Sequence, residues 1–193
     1  MGPVRRQRFT TREEFLAWET GQVERWEYLA GVVKAMTGGR VAHNVIAGNI
    51  FVRLRDPAKA RGWHTFQHGQ KLAPAHEIDV VYPDVFVSCE RLSDDALFAT
   101  HAAVVVKVLS KSTREDDLSW KWELYKGIPD LGHNLAVETR KMAVFHYHRA
   151  SADEEWRFQI IGQGGGGDAA VTLDWLAIAM PLTDIYAGTD LLT

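Results

Sequence analysis

Two apolar stretches constrain the fold of this chain more than any other feature. One directly follows a charged residue, and the other contains one. Tyr82-Pro83-Asp84 closes a polar stretch and opens the apolar run Val85-Phe86-Val87. The second stretch, from Ala102 to Leu109, reads A-A-V-V-V-K-V-L. A nearly continuous β-branched run of this kind is typical of a central strand buried on both faces. The sequence therefore predicts a buried sheet, with Asp84 at the head of one strand and Lys107 inside the next.

The bulk composition predicts one soluble domain. A chain of 193 residues is most naturally a single domain, residues 1–193, and can bury roughly 70% of its unfolded surface. The apolar share of 46% and the charged share of 24% are ordinary for a globular protein. The single Cys89 excludes an intrachain disulfide and a Cys-based zinc site. With no run near the ~20 apolar residues of a membrane span and no apolar signal core, we expect a cytoplasmic protein without membrane contact.

The charge distribution leaves two interpretations open. The net charge of −3 and the pI near 6.2 give no global electrostatic case for nucleic acid. Two local clusters are nevertheless basic: Arg53, Arg55, Lys59, Arg61 and Lys71, with Asp56 as the only acid among them, and Arg5, Arg6, Arg8 and Arg12. Such patches can bind phosphates while the whole chain stays acidic. Solvated helix faces and a frayed terminus explain each patch equally well.

The remaining pattern predicts an α+β layout, a mixed sheet with flanking helices. A capping box opens a helix over about residues 11–19, and a long helix from residue 41 ends or kinks at Pro57. Ser112-Thr113 caps a helix that runs to residue 126, and Gly164–Gly167 forms a flexible loop. Strands are expected at 25–29, 32–36, 63–72, 85–87, 103–109, 134–137, 142–148, 156–161 and 169–173.

The candidate chemistry is centred on Asp84. Hydrolysis of a phosphodiester with a divalent metal needs two or more carboxylates to hold Mg²⁺ and a cation to position or activate water. Lys121 is predicted on the helix that follows the central strand, on the same face as Asp117 by i,i+4 spacing. His146 and His148 share one face of a strand, and we interpret them as a satisfied surface pair because no third metal ligand is obvious. Asp117 alone is equally well explained as a helix-start charge.

Five motifs in order carry a resemblance to a known family. They read T-R-E-E-F-L from Thr11, W-E-Y-L-A-G-V-V-K-A-M-T-G-G-R-V-A-H-N from Trp26, Y-P-D-V from Tyr82, V-K-V-L-S-K-S-T from Val106 and D-L-S-W-K-W-E-L-Y-K-G-I-P from Asp117. Over about residues 9–190 the chain resembles the Uma family of restriction-endonuclease-like proteins, within the PD-(D/E)xK nuclease superfamily. The resemblance implies a restriction-endonuclease-like mixed sheet, Mg²⁺-dependent cleavage of DNA and a homodimer.

The resemblance also implies roles for single residues. Asp84 matches the metal-binding aspartate, and Glu27 matches an acid of the first hairpin that approaches the metal. Lys121 matches the lysine on the helix after the second strand, where it would orient the attacking water. Asp117 precedes that lysine by four positions, and His43 matches the histidine that opens the long helix.

Lys107 departs from the family pattern at the most consequential position. The family motif V-E-V-L-S has glutamate where this chain has lysine, and the replacement changes the local charge by two units. Two like charges ~4 Å apart repel by several kcal/mol at an effective dielectric of 20, so a lysine here opposes a metal ion. We expect an Asp84–Lys107 ion pair in place of Mg²⁺. Two interpretations stay open: a Mg²⁺-dependent DNA endonuclease inactivated by Lys107, and a non-catalytic nucleic-acid-binding or interaction domain on a nuclease scaffold.

Overall fold

A computed structural model describes residues 4–5, 7–36, 38–110, 114–163 and 169–192. The helix cap predicted at Ser112-Thr113 and the loop predicted at Gly164–Gly167 lie outside these residues. In chain order the elements are β1 (Val4–Arg5), α1 (Arg12–Thr20), β2 (Trp26–Leu29), β3 (Val32–Ala35), α2 (Val41–Ala60), β4 (His64–Gln67), β5 (Lys71–Leu72), β6 (Val85–Ser88), β7 (Phe98–Ala99), β8 (Val104–Val108), α3 (Arg114–Leu118), α4 (Trp120–Lys126), β9 (His133–Val137), β10 (Val144–His148), β11 (Arg157–Ile161), β12 (Ala170–Leu173), a 3-10 turn (Asp174–Leu176), β13 (Ile178–Pro181) and α5 (Leu182–Ile185).

The largest sheet among the described residues has six strands, in the order β11-β10-β9-β8-β6-β4. β8 and β9 run parallel, and the other neighbouring pairs run antiparallel. All five residues of β8 are buried, because Val104, Val106 and Val108 face one hydrophobic core and Val105 faces a second. The α+β class and the doubly buried central strand are therefore confirmed.

The long helix α2 covers one face of this sheet. Its inward positions, Ile46, Ile50, Leu54 and Ala58, belong to the same core as the inward residues of β6 and β8. Pro57 lies inside α2, which continues to Ala60. Of the two predicted alternatives, an end or a kink at Pro57, the end is wrong. A proline near the last turn removes only one backbone hydrogen bond, and the buried Leu54 and Ala58 hold that turn in place.

A small sheet, in the order β1-β3-β2, carries the N-terminal hairpin. The predicted capping box of α1 is present, with Thr11 accepting from the backbone of Glu14 and Glu14 bonding back. Phe15 of α1 stacks on Tyr28 of β2 with ring centroids 5.4 Å apart. Tyr28 in turn exchanges backbone hydrogen bonds with Val80. These contacts fix β2, and therefore Glu27, against the segment that leads into β6.

Three regions differ from the sequence prediction. The strand predicted at 63–72 is divided into β4 and β5, because His68 and Gly69 adopt positive φ angles of 41° and 108°. The helix predicted to run to residue 126 is interrupted at Ser119, which has φ −118° and ψ −82°. β12 pairs with β13 in a separate hairpin. β7, β13 and α5 were not predicted, since each is too short to show a clear period.

Candidate active site

Asp84 lies immediately before β6, and its carboxylate is buried. Its Oδ2 accepts a 2.7 Å hydrogen bond from the backbone N–H of Val108. Its Oδ1 lies 3.3 Å from Nζ of Lys107 and 3.5 Å from Nε2 of His43, in the first turn of α2. Both oxygens of this carboxylate are therefore engaged by groups of the protein itself.

Lys107 forms the ion pair that the sequence predicts. Its side chain is only 10% exposed, and besides Asp84 its ammonium donates a 3.0 Å hydrogen bond to the carbonyl oxygen of Tyr82. Burial alone would raise the pKa of the Asp84 carboxyl, but the Lys107 charge and the His43 contact outweigh burial and hold that pKa well below its usual range. Asp84 and Lys107 are thus a charged, mutually neutralising pair.

Lys121 and two acids form a second buried group. Nζ of Lys121 lies 2.8 Å from Oε2 of Glu27 and 3.0 Å from Oδ1 of Asp117. Burial opposes the charge on both partners, yet the two acids raise the pKa of Lys121 well above its usual value, and the charges of Lys121 and Lys107 lower the pKa of Glu27. The i,i+4 relationship between Asp117 and Lys121 is confirmed. Asp117 lies in the short helix α3, but its side chain is fully buried and paired with Lys121, so it is more than a simple helix-start charge.

Tyr82 joins the two groups and was not singled out in the sequence. Its backbone N–H donates a 3.0 Å hydrogen bond to Oε1 of Glu27, and its carbonyl accepts from Lys107. Its hydroxyl donates a 2.7 Å hydrogen bond to Glu19, which pairs with Lys71 at 3.2 Å. Two of these three links are made by backbone atoms, so residue type gave no signal. The proline at 83 was the only hint, because it favours an extended conformation at Tyr82.

The available donor atoms do not fit a divalent metal. Mg²⁺ needs carboxylate oxygens that face a common point with room for water. Here Asp84 is saturated by Val108, Lys107 and His43, and both oxygens of Glu27 contact Lys121. Within the described part of the chain, no three His, Cys, Asp or Glu side chains are arranged to hold a metal ion. The ammonium of Lys107 lies against Asp84, where a positively charged metal would have to bind.

The structure brings most of the predicted site residues into two adjoining buried groups. One group holds Asp84, Lys107 and His43, and the other holds Lys121, Glu27 and Asp117. The predicted histidine pair and the basic cluster lie outside these two groups. His146 is buried and lies 3.0 Å from His133, so the interpretation of His146 and His148 as a surface pair is wrong. His133, like Tyr82, was not singled out from the sequence. In the basic cluster, Arg53 pairs with Asp184 and Lys71 with Glu19, so the patch has fewer free charges than its sequence indicates.

Comparisons with known proteins agree with this architecture. A crystal structure described as "a putative nuclease belonging to DUF820" from Anabaena variabilis aligns with a TM-score of 0.72 at 15% identity, over 93% of this chain and 98% of that chain. At this identity the match shows the fold. Together with the mixed six-stranded sheet, it defines a restriction-endonuclease-like α+β fold.

The family follows from sequence. Uma2, described as "Putative restriction endonuclease", matches residues 12–179. The chain is 31% identical to the uncharacterized protein slr1290 of Synechocystis sp., over 75% of this chain and 76% of that protein. It is 28% identical to sll1609 of the same organism, over 76% of this chain and 84% of that protein. The chain belongs to the Uma2 family. No helix in the described ranges is long and apolar enough to cross a membrane.

Proposed function

We propose that this chain is a DNA-binding member of the restriction-endonuclease-like class in which Lys107 takes the place of the metal, so that phosphodiester hydrolysis is suppressed. One observation carries the proposal: the ammonium of Lys107 lies 3.3 Å from Oδ1 of Asp84 and donates to the carbonyl of Tyr82. A second cation beside Lys107 would be repelled by several kcal/mol at ~4 Å. The charge of Asp84 is already neutralised by Lys107, so its attraction for a second cation is weak.

DNA is the proposed partner because the family is nuclease-like and the substrate of a nuclease is nucleic acid. Without a metal, binding must come from contacts between side-chain cations and backbone phosphates, which are independent of base sequence and fall with salt concentration. Three further sequence predictions remain predictions: a single domain over residues 1–193, a homodimer and a cytoplasmic location.

A Mg²⁺-dependent DNA endonuclease is the second candidate. Its favouring observation is that Asp84, Glu27 and Lys121 lie in adjoining buried groups linked through Tyr82. In that case Asp84 and Glu27 would be the ligands of Mg²⁺, and Lys121 would orient the attacking water or stabilise charge on the phosphate. Both carboxylates would first have to exchange their lysine contacts for the metal.

Two assays on the full chain separate the candidates. We expect duplex DNA to bind equally well in EDTA and in Mg²⁺, and supercoiled plasmid to remain uncut in Mg²⁺ or Mn²⁺. Plasmid cleavage that EDTA abolishes, with Lys121→Met and Asp84→Asn inactive, would establish the endonuclease instead. Absence of DNA binding at every salt concentration would reject both.

A further inference from the structure

The ammonium of Lys107 retains one donor that no described residue accepts. A lysine ammonium carries three N–H donors. Two of those of Lys107 donate, one to Oδ1 of Asp84 and one to the carbonyl oxygen of Tyr82. Val108 and His43 also contact the carboxylate of Asp84, so three donors already surround it. The remaining N–H of Lys107 can therefore donate to an added acceptor while the Asp84 pair stays in place.

His68 adds an imidazole, a second possible hydrogen-bond donor, beside Asp84. Its backbone N–H donates to the carbonyl of Asp84 at 3.3 Å, and its ring lies 6.4 Å from the ring of His43 in a stacked arrangement. His68 has a φ angle of 41°, which is uncommon for a residue other than glycine, and its side chain is exposed. Backbone strain of this kind clusters at binding and catalytic sites. Here it brings an exposed imidazole close to His43, which itself contacts Asp84.

Arg25 adds a third group, and it lies against the loop at Gly69. A Cβ atom built at Gly69 would lie 2.9 Å from Nη2 of Arg25, so the guanidinium rests directly on this part of the loop. Arg25 is exposed, and in the described part of the chain its side chain makes no hydrogen bond or ion pair. Arg25 thus lies against the residue next to His68, whose ring stacks near His43 beside Asp84. Burial lowers the pKa of His68, the charge of Asp84 raises it, and the charges of His43, Lys107 and Arg25 lower it.

The geometry points to Lys107, His68 and Arg25 as a metal-independent binding site for one phosphate group of a DNA strand. A phosphate oxygen would accept from the free donor of Lys107, while the planar guanidinium of Arg25 suits two oxygens of one phosphate. The first turn of α2, which carries His43, adds the positive end of a helix dipole, and its N-cap Arg40 makes no side-chain hydrogen bond to that turn. The inference rests on the proposed function and identifies the residues that hold the DNA.

The test compares neutral variants of the two exposed residues. Arg25→Gln and His68→Asn keep the fold, because Arg25 is exposed and asparagine tolerates a positive φ. Arg91→Gln is the matched control, an exposed arginine beyond the opposite end of β6. In fluorescence anisotropy with a labelled duplex in EDTA, we expect each site variant to weaken binding about tenfold. Arg25→Gln should also reduce the slope of log affinity against log salt by about one, and Arg91→Gln should change neither.

A second measurement separates the possible sources of the phosphate. Three ligands are titrated into the protein while the imidazole signals of His68 are followed by NMR. They are inorganic phosphate, a 5′-phosphorylated oligonucleotide, and the same oligonucleotide without its phosphate. Shifts caused by both phosphates and lost in Arg25→Gln support the site. Undiminished DNA binding in both variants overturns the site but leaves the proposed function intact. Phosphate-induced shifts at His68 without any DNA binding support the site and reject DNA as its ligand.

Discussion

Lys107 of β8 and Asp84 at the head of β6 are neighbours because of strand register. Val85 pairs with Val106 and Phe86 with Val105 in the antiparallel ladder, so the next positions along the two strands are 84 and 107. The Nζ–Oδ1 distance of 3.3 Å follows from that pairing and from the reach of a lysine side chain. A glutamate at 107 would place two carboxylates side by side, as a metal site requires. The lysine produces a closed ion pair instead.

Removal of Lys107 should destabilise the fold. Lys107→Met leaves the Asp84 carboxylate buried without its cation, and we expect a loss of about 3–5 kcal/mol in the free energy of unfolding. Urea denaturation at neutral pH measures it. Because the cost arises from the uncompensated charge, the double variant Asp84→Asn/Lys107→Met should recover much of the loss. Strictly additive losses would show that the two residues do not act as a pair.

Lys121 should matter far more than a lysine on the same helix that faces water. Lys121→Met leaves Glu27 and Asp117 uncompensated in the core, with an expected cost of about 3–5 kcal/mol. Lys126→Met is the matched control, since Lys126 pairs with the exposed Glu123, and should cost no more than about 0.5 kcal/mol. Thermal or urea unfolding of both variants makes the comparison. Equal effects would contradict the buried network.

The hydroxyl of Tyr82 should stabilise the fold through Glu19. Tyr82→Phe removes the 2.7 Å hydrogen bond to a buried carboxylate, with an expected loss of about 1–3 kcal/mol in unfolding free energy. Tyr147→Phe is the control, because its ring stacks on Trp122 and its hydroxyl has no hydrogen-bond partner among the described residues. Indistinguishable denaturation midpoints for the two variants would argue against the role of Tyr82.

The buried pair His133–His146 should make stability depend on pH. Burial lowers the pKa of His133 to about 4 and that of His146 to about 3, with His148 lowering both and Asp174 opposing the shift at His133. Below the ordinary histidine pKa of 6.5 the unfolded chain takes up protons that the folded chain does not, so stability falls as pH decreases. The slope should be about 1.4 kcal/mol per pH unit for each histidine.

Urea denaturation between pH 7 and pH 5 tests this sign, since Asp84 and Glu27, with lowered pKa values, keep their charges in that window. His133→Gln should start less stable at pH 7 and lose less stability on acidification than the native chain. An unchanged slope in this variant would assign the pH dependence to other groups.

The helices and strands with a clear pattern of apolar residues were predictable from sequence. The Asp84–Lys107 ion pair was predictable as well. The doubly buried β8, the amphipathic α2 and the capping box of α1 were each evident from residue types alone. The Asp84–Lys107 contact was predictable because each charged residue lay against an apolar run, and opposite charges in a buried sheet must pair.

The parts that sequence did not reveal depend on backbone atoms or long-range contacts. Tyr82 links Glu27 to Lys107 through its N–H and carbonyl, groups that every residue other than proline carries. His68 and Gly69 divide a predicted strand through positive φ angles that the local sequence did not signal. His133 pairs with His146 because β9 and β10 are neighbours, and the pairing becomes visible only once their register is known.

Calorimetric titration of Mn²⁺ into the native chain and into Lys107→Glu tests whether Lys107 keeps a metal from the site. We expect no saturable binding to the native chain, because an ammonium is paired with Asp84, and measurable binding to the variant, whose position 107 supplies a carboxylate. The same titration of Lys107→Glu/Asp84→Asn should again show none. Saturable binding to the native chain, lost in Asp84→Asn, would contradict the conclusion that Lys107 takes the place of the metal.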